Sequence, residues 1–347
     1  MNPIEYTFCK NKAKKMHCFC KILSTASYIP KKSITNEEII RQYGLPYKSS
    51  VILKTIGVES RRIAEEYEED SDLLVESSKK CLENAGISPD QLSRIIVNKY
   101  MGDNLLPMTA SKLQQKLGCK IAVHAFDIDA GISSFLYSLD AASRFINTGD
   151  EYILIACGGI HNRFISKTNP RVAFLFGDAS GAVVLGKSQK QHILASYFYT
   201  NHHYRDLATS FDISSIKATS KQNPGDMSFL YDTYQMDNWK VAEEFYKKAT
   251  KEVSRYLLEE SGLKIEDIDL FLITENNRKI WEITLESLGI SPDRSLSLLK
   301  DYGNTMSAML PLLLEEAWRT KKILPGMKVM LLSHGEGMNG GGMIYFF

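Results

Sequence analysis

The sequence predicts an α/β fold made of two related halves, and three observations lead to this prediction. Short apolar runs alternate with amphipathic stretches, as strands and helices do in α/β proteins. Phrases of the first half return about 170 residues later, a spacing far above the periods of solenoid repeats. The length of 347 residues suits two domains or one large duplicated domain.

Five apolar runs predict the strands of the first half, because a strand buried on both faces is apolar almost throughout. They span residues 21–29, 94–98, 123–128, 152–156 and 182–185. Helices are predicted between them at residues 74–85, 110–117 and 133–146. The first helix stops at Gly86, and the last is followed by Asn147-Thr-Gly149, both of which are common helix endings.

The second half repeats this order of elements. Residues 192–198 (HILASYF) echo residues 21–27 (KILSTAS). The helix end, polar turn and strand of residues 85–98 return at residues 261–274. Two further strands, at residues 328–335 and 343–346, correspond to those that begin at residues 152 and 182.

These correspondences predict the domain organisation. A basic tail covers residues 1–16, and the two halves cover residues 17–188 and 189–347. Residues 201–226 are polar and interrupt the repeat, so we predict a surface excursion there. Met16 lies directly before the first predicted strand and is a candidate translation start.

The composition excludes several classes of protein. The chain has 42 basic and 41 acidic side chains, and a net charge of +1 argues against nucleic-acid binding through overall charge. No window approaches ~18 consecutive apolar residues, so no membrane span is predicted. No apolar segment of a signal peptide follows the N-terminal lysines, and we predict a cytoplasmic location.

The sequence predicts no metal and no cofactor. Cys9, His17, Cys18 and Cys20 form the one cluster of metal-ligating residue types, but no second pair at zinc-ligand spacing accompanies them. We interpret the cluster as a loose tail that runs into the first strand. The glycine triplet at residues 340–342 is interpreted as a turn before the last strand, not as a phosphate-binding loop.

Several short phrases in order resemble those of a known family. They are Asp103-Asn-Leu-Leu-Pro107, Phe126-Asp-Ile-Asp-Ala130, Leu175-Phe-Gly-Asp-Ala-Ser-Gly-Ala182, Tyr302-Gly-Asn-Thr305 and Ser333-His-Gly-Glu-Gly337. Together they are similar to the motifs of the ketoacyl synthase III family of the thiolase superfamily, over about residues 17–347. The resemblance implies a thiolase-like α/β fold whose two halves form a five-layered α-β-α-β-α arrangement.

The resemblance also implies a chemistry. Family members are acyltransferases that condense thioesters of CoA or of an acyl carrier protein. A Cys at the N-terminus of the central helix takes up the acyl group, because the helix dipole favours its thiolate. A His and an Asn then stabilise the negative charge that develops when the second thioester loses carbon dioxide.

This chain departs from that pattern at two of the three positions. Ile132 stands where the family has its nucleophilic Cys, and Thr274 stands where it has its His. Asn304 is the retained member. The backbone N–H group of Ile132 and Gly335 would remain as parts of an oxyanion hole, since backbone groups do not depend on side-chain identity. We therefore predict that the isolated chain is inactive or nearly so.

Other residues could replace the missing nucleophile. Ser133 is one position beyond Ile132, although its place in the helix aims it elsewhere. Cys157 and His161 follow the strand at residues 152–156 and could form a relocated nucleophile and base. We favour a buried structural Cys and a solvated loop His, and we interpret His334 as structural.

Arg278 and Lys279 open the helix that follows Thr274. Related synthases keep basic residues at this position for an acyl carrier protein, whose acidic helix would suit the charge. An ordinary solvated helix start is the alternative interpretation.

Three functions fit these observations. The first is a silent subunit that pairs with an active, Cys-containing paralogue, as a heterodimer or larger assembly, or that forms a homodimer. The second is an active acyltransferase or condensing enzyme with a non-standard nucleophile. The third is a protein that binds acyl thioesters without acting on them. We expect the first.

Overall fold

The computed structural model describes residues 19–104, 106–209, 235–236 and 239–347. Thirteen strands lie within these residues, and they are β1 (Cys20–Tyr28), β2 (Ser33–Thr35), β3 (Ser60–Arg62), β4 (Arg94–Asn98), β5 (His124–Asp127), β6 (Tyr152–Gly159), β7 (Ala179–Lys187), β8 (Ile193–Thr200), β9 (Ala208–Thr209), β10 (Gln235–Met236), β11 (Leu270–Ile273), β12 (Lys328–Gly335) and β13 (Asn339–Phe346).

The α-helices of the same residues complete the list. They are α1 (Asn36–Tyr43), α2 (Ser49–Thr55), α3 (Asp70–Ala85), α4 (Thr109–Leu117), α5 (Ser134–Asn147), α6 (Pro170–Ala173), α7 (Trp239–Ser261), α8 (Arg278–Leu288), α9 (Leu299–Tyr302) and α10 (Met309–Arg319).

Two mixed sheets form the framework. The first has the order β1-β7-β6-β4-β5, in which β4 runs parallel to β5 and β6 and the other pairs are antiparallel. The second has the order β11-β12-β13-β8, with β11 and β12 parallel. Because β4, β5 and β6 are parallel, their carboxyl ends lie at one edge of the first sheet.

Helices cover both faces of both sheets. Side chains of successive strand residues point to opposite faces, so Ile95 of β4 packs with α3 and α4 while Ile96 faces the centre of the molecule. The central cluster joins Phe135 of α5 and Leu313 of α10 to strands of both sheets. On the far side of the second sheet, Phe271 packs with α7 and α8.

The layers therefore run α3 and α4, first sheet, α5 and α10, second sheet, α7 and α8. This order confirms the predicted five-layered α-β-α-β-α arrangement. Strands of the first sheet come from residues 20–187 and those of the second from residues 193–346. The division into repeated halves at residues 17–188 and 189–347 stays a prediction.

The prediction of a glycine turn before the last strand was wrong. Gly340, Gly341 and Gly342 lie inside β13 and pair with both β8 and β12. A Cβ on Gly341 would stand 2.3 Å from the carbonyl oxygen of Tyr197. Glycine at these positions therefore allows the backbones of neighbouring strands to approach closely, which is one reason why glycine occurs within a strand.

Two predicted segments fall largely outside the described residues. The basic tail at residues 1–16, Met16, Cys9, His17 and Cys18 all belong to the part that is not described. Cys20 is buried in β1. Of the predicted excursion at residues 201–226, the described part ends at β9, which pairs with β10.

No helix in the described part of the chain combines the length and the apolar composition that a membrane crossing requires.

A buried carboxyl group holds the loop between the second sheet and α10. Glu275, two residues after β11, accepts hydrogen bonds from the backbone N–H groups of Leu298 (2.8 Å) and Leu299 (3.1 Å) and from the Ser297 hydroxyl group. These contacts fix the start of α9, which leads directly to Asn304. Burial raises the pKa of Glu275 to about 7, although the three hydrogen bonds act in the opposite direction.

We predict that Glu275→Gln stabilises the fold more at high pH than at low pH. The pKa of about 7 in the folded chain lies above the ordinary value of 4.5, so the folded chain keeps a proton that the unfolded chain loses. Stability is therefore lost as the pH rises between these values, and a glutamine, which keeps an oxygen acceptor but does not ionise, avoids this loss.

Thermal melts followed by circular dichroism at about pH 5 and about pH 8 test this prediction, because the two values bracket the range in which the proton is lost. The difference in melting temperature between Glu275→Gln and the unaltered chain should shift in favour of the variant at the higher pH. The exposed Glu266, changed to Gln, is the control. An unchanged difference would contradict the assigned proton.

Candidate active site

The candidate site begins at the turn between β5 and α5. Gly131 has a φ of +58°, and a 3-10 turn from Gly131 to Ser133 leads into α5. The Asp129 carboxylate accepts the Gly131 N–H at 3.0 Å, and the Ser134 hydroxyl oxygen accepts the Ala130 N–H at 2.7 Å. The turn therefore has a fixed shape, and it sets Ile132 at the N-terminus of the central helix with only 1% of its surface exposed.

Hydroxyl groups connect this turn to the second sheet. Ser133 Oγ and Ser333 Oγ lie 2.9 Å apart, and Thr274 Oγ1 lies 3.4 Å from Ser333 Oγ. The His334 backbone N–H donates to Thr274 Oγ1 at 3.3 Å. The structure thus brings the Ile132 turn and Thr274 together through Ser333 at the end of β12.

Asn304 is buried and bonds to Asn276, two residues after Thr274. Its Nδ2 donates to the carbonyl oxygen of Asn276 at 3.2 Å, and its Oδ1 accepts the Met306 N–H at 2.8 Å. Its backbone N–H donates to the Leu175 carbonyl oxygen at 2.8 Å, and its own carbonyl oxygen accepts the Gly177 N–H at 3.0 Å. Asn304 therefore ties loops together with both its backbone and its side chain.

The structure does not support the relocated Cys and His pair. Cys157 Sγ donates to Asn98 Oδ1 at 3.0 Å, and complete burial raises the pKa of the thiol far above its usual range. His161 contacts the ring of Tyr100 edge-on, and its two ring nitrogens have no hydrogen-bond partner among the described residues. The two side chains form no hydrogen bond, and a thiol held neutral is a poor nucleophile.

The alternative interpretation of His161 as a solvated loop residue was also wrong. The residue is 1% exposed, and burial lowers its pKa to about 4, although Asp178 acts in the opposite direction. The loop after β6 turns inward because the Asp178 carboxylate accepts the backbone N–H of His161 at 2.7 Å. His161 is thus a neutral, buried side chain.

His334 has the structural role that was predicted for it. Its Nδ1 lies 2.8 Å from the Tyr199 hydroxyl oxygen, and its Nε2 lies 2.9 Å from Thr250 Oγ1. Burial lowers its pKa to about 4, so the ring is neutral near pH 7. Because both nitrogens are engaged on the α7 side of the second sheet, this imidazole is not available to Ser133.

Ser133 is a weak candidate nucleophile for a related reason. It is completely buried, and its hydroxyl group bonds to the hydroxyl group of Ser333. A serine is activated by a base within hydrogen-bond reach, whereas a second serine supplies no proton acceptor of comparable strength.

A cavity of about 600 Å³ opens between α2 and the start of α8. Its lining is mainly apolar and includes Val51, Ile52, Ile56, Leu175 and Trp239, with Asn277 and Lys279 as polar members. Leu175 also accepts the Asn304 N–H, and Asn277 lies three residues after Thr274, so the inner wall adjoins the candidate site. Such a lining is typical of small-molecule sites.

Lys279 lines this cavity, and Arg278 precedes it at the start of α8. Both side chains are 51% exposed. Arg278 pairs with Glu282 at 2.7 Å, and Lys279 pairs with Glu243 at 3.3 Å. The Lys279 ammonium group also stands 4.4 Å from the centre of the Trp239 ring. The predicted basic pair is therefore present, with each charge partly balanced by an acidic neighbour.

Sequence reasoning missed two residues of the site, Glu336 and Asn339. Both lie in the connection between β12 and β13, and each has a side-chain oxygen that is buried without a hydrogen-bond partner among the described residues, Glu336 Oε2 and Asn339 Oδ1. The signal was present in Ser333-His-Gly-Glu-Gly337, where an acidic residue interrupts a glycine-rich turn.

In the described part of the chain, no group of three or more His, Cys, Asp or Glu side chains could hold a metal ion.

Comparison with known proteins identifies the fold and shows which proteins this chain is similar to. Residues 258–346 match the family model of the C-terminal part of 3-oxoacyl-[acyl-carrier-protein] synthase III, and residues 126–202 match a second model of 3-oxoacyl-[acyl-carrier-protein] synthase III. The beta-ketoacyl-[acyl-carrier-protein] synthase III of Clostridium acetobutylicum is 29% identical over 326 residues, which are 93% of this chain and 97% of the relative.

Solved structures agree with this match. The 3-oxoacyl-[acyl-carrier-protein] synthase III of Aquifex aeolicus superposes with a TM-score of 0.84 at 27% identity, over 94% of this chain and 100% of the other. The beta-ketoacyl-[acyl-carrier-protein] synthase III of Thermus thermophilus gives a TM-score of 0.83 at 26% identity, over 94% and 98%. The chain therefore has the thiolase fold, and over 93% of its length it is similar to ketoacyl synthase III proteins.

Proposed function

We propose that this chain is a catalytically silent ketoacyl synthase III-like subunit of fatty-acid or polyketide-type biosynthesis, and that it pairs with an active, Cys-containing paralogue. One observation carries the proposal. Ile132, at the N-terminus of the central helix, takes the position that the resemblance assigns to the nucleophile, and its hydrocarbon side chain cannot form an acyl thioester.

The neighbouring residues support the same conclusion. Thr274, at the position assigned to the catalytic His, has no ring nitrogen to donate to a thioester carbonyl group, and its hydroxyl group is engaged with Ser333 and the His334 N–H. Asn304 uses its side chain to hold Asn276 and Met306. Because such catalytic groups act together, the loss of two leaves a small fraction of the full rate.

The substrate class follows from the cavity and its rim. The lining of the cavity of about 600 Å³ is mainly apolar, which suits the arm of an acyl thioester. Arg278 and Lys279 stand half-exposed at the rim, where phosphates of CoA or acidic residues of an acyl carrier protein would meet them. We propose acyl-CoA or acyl carrier protein as the ligand.

The cavity also favours a second function, in which the chain binds an acyl thioester without serving a partner. An active enzyme with a non-standard nucleophile is less well supported, since Ser133 contacts Ser333 and Cys157 contacts Asn98, and neither contacts a base. The arrangement of subunits separates the first two functions. Co-expression with a paralogue that carries the Cys should give a complex for a silent subunit and two separate proteins for a solitary binding protein.

Intact-mass spectrometry after incubation with acetyl-CoA tests the central claim of silence. We expect no covalent adduct on the unaltered chain, because the residue at position 132 has no nucleophilic atom. Tryptic mapping would locate any adduct that did form. A stoichiometric acyl group on Ser133 or Cys157 would contradict the proposal and would support the active alternative.

Restoring the two missing side chains should restore self-acylation. In the double variant Ile132→Cys with Thr274→His, the new thiol would stand at the N-terminus of α5, where the dipole favours its thiolate. We expect a detectable acyl adduct on residue 132 within minutes to hours. The Ile132→Val variant, which keeps a buried branched side chain, is the matched control and should stay unmodified.

The Ile132→Cys change should cost about 1–3 kcal/mol of stability, because it removes buried hydrocarbon. A circular dichroism spectrum that matches the parent is therefore required first. A folded double variant whose thiol reacts with iodoacetamide but never with acetyl-CoA would contradict the assigned thioester site.

Reversing the charge at the rim should weaken binding of the carrier. We expect Lys279→Glu to reduce the affinity for an acyl carrier protein by about tenfold at low salt, with the difference shrinking as salt rises. Surface plasmon resonance at two salt concentrations measures both effects. Lys264→Glu, at an exposed position in the turn before β11, is the control. Equal effects of the two substitutions would contradict a carrier site at Lys279.

A further inference from the structure

The two backbone positions that the resemblance reserves for the oxyanion hole are each faced by a side-chain oxygen of this chain. Glu336 Oε2 lies against the turn that carries Ile132, since a Cβ built on Gly131 would stand 3.0 Å from it. Asn339 Oδ1 lies against Gly335, where a built Cβ would stand 2.8 Å from it. The same built atom on Gly335 would be 2.9 Å from Ser133 Oγ, which places this wall in the candidate site.

Neither oxygen has a settled partner elsewhere. Both atoms are buried and without a hydrogen-bond partner among the described residues. Asn339 is held in place by its other end, since its Nδ2 donates to the carbonyl oxygen of Glu336 at 2.6 Å. A buried acceptor without a donor costs free energy of folding. We therefore expect that the surrounding fold holds each oxygen in this position.

The turn at Ile132 also affects the pKa of the Glu336 carboxyl group. Burial raises its pKa, the Ile132 backbone N–H lowers it, and the neighbouring Asp129 carboxylate raises it. The geometry agrees, because Glu336 Oε2 would lie 3.0 Å from a Cβ on Gly131, the residue directly before Ile132. The Ile132 N–H is the donor which a bound thioester carbonyl oxygen would need.

We propose that Glu336 occupies the oxyanion hole of its own chain and excludes the carbonyl oxygen of a bound thioester from it. The proposal rests on the proposed function, because it takes an acyl thioester as the ligand of the adjoining cavity. It adds a second cause of silence to the loss of the nucleophile. A carbonyl oxygen and a carboxyl oxygen are both acceptors, so they compete for one N–H group, and the negative form of the carboxyl group also repels the developing oxyanion.

The proposal separates two properties of the site. The cavity can still hold the CoA portion of a ligand, while the thioester carbonyl oxygen gains nothing from the backbone donor. Two ligands that differ by this one oxygen should then bind the unaltered chain equally well. These are acetyl-CoA and its thioether analogue S-ethyl-CoA, which has a methylene group in place of the carbonyl group.

Binding of these two probes to three forms of the full chain tests the proposal by isothermal titration calorimetry. The Glu336→Ala variant lacks the carboxyl group. We expect it to bind acetyl-CoA about tenfold more tightly than S-ethyl-CoA, because the Ile132 N–H group becomes available to the carbonyl oxygen. In Glu336→Gln an oxygen acceptor of the same size remains, so we expect a smaller change. Glu266→Ala removes an exposed carboxylate and should leave both affinities unchanged.

Three results would overturn the proposal. Equal tightening of both probes by Glu336→Ala would mean that the variant only enlarges the cavity. Unchanged affinities for both probes in a variant with the melting curve of the parent would mean that the carboxyl group does not compete with the ligand. Absence of binding of either probe to every form would contradict the proposed function and this proposal with it.

The rate of self-acylation gives a second test that is independent of the binding measurements. In the Ile132→Cys and Thr274→His background, adding Glu336→Ala should raise the rate of self-acylation by acetyl-CoA at least about tenfold, because removing one oxyanion donor from an enzyme commonly costs 10²–10³-fold in rate. The rate of alkylation of the same thiol by iodoacetamide should rise much less, because alkylation forms no oxyanion. A parallel rise in both rates would show a general gain in access and would contradict the proposal.

Discussion

Burial of the central helices between the two sheets is the constraint on which the rest of the structure depends. Phe135 and Leu139 of α5 and Leu313 of α10 pack against strands of both sheets, so neither helix can move without opening the core. The first turn of α5 is therefore delivered to one place, beside Ser333 at the end of β12. Whatever side chain stands at position 132 is presented there, with or without a chemical function.

This constraint allows the side chains of the site to differ while the fold persists. Ile132 fills a buried volume and adds apolar contacts to the core, to which a buried isoleucine contributes about 1.5–3 kcal/mol. Thr274 joins Ser133 and Ser333 in a network in which hydroxyl groups satisfy one another. An orphaned polar group there would cost about 1–3 kcal/mol. The residues at the site thus serve packing and hydrogen bonding, and the loops that surround the cavity keep their shape through Glu275 and Asn304.

Much of the architecture could be predicted from the sequence, because a strand buried on both faces consists of consecutive apolar residues. The strands at 94–98 and 328–335 have the predicted bounds. The approach of the Ile132 turn to Thr274 was also predictable, but only through the resemblance. Other features depend on which way a side chain or loop turns. Gly340 is a turn former by type yet lies in a strand, and His161 follows a strand yet is buried because Asp178 binds its backbone. Glu336 sits in a turn, where periodicity says nothing of direction.

The proposed function requires that this chain holds an acyl thioester without taking up its acyl group. Isotope exchange between labelled CoA and acetyl-CoA measures this directly, because any acyl-enzyme, on whatever residue, returns its acyl group to free CoA and so moves the label into acetyl-CoA. We expect the purified chain to exchange label no faster than buffer alone. Exchange that rises in proportion to the concentration of the protein would contradict it, since only a chain with a working nucleophile could produce that result.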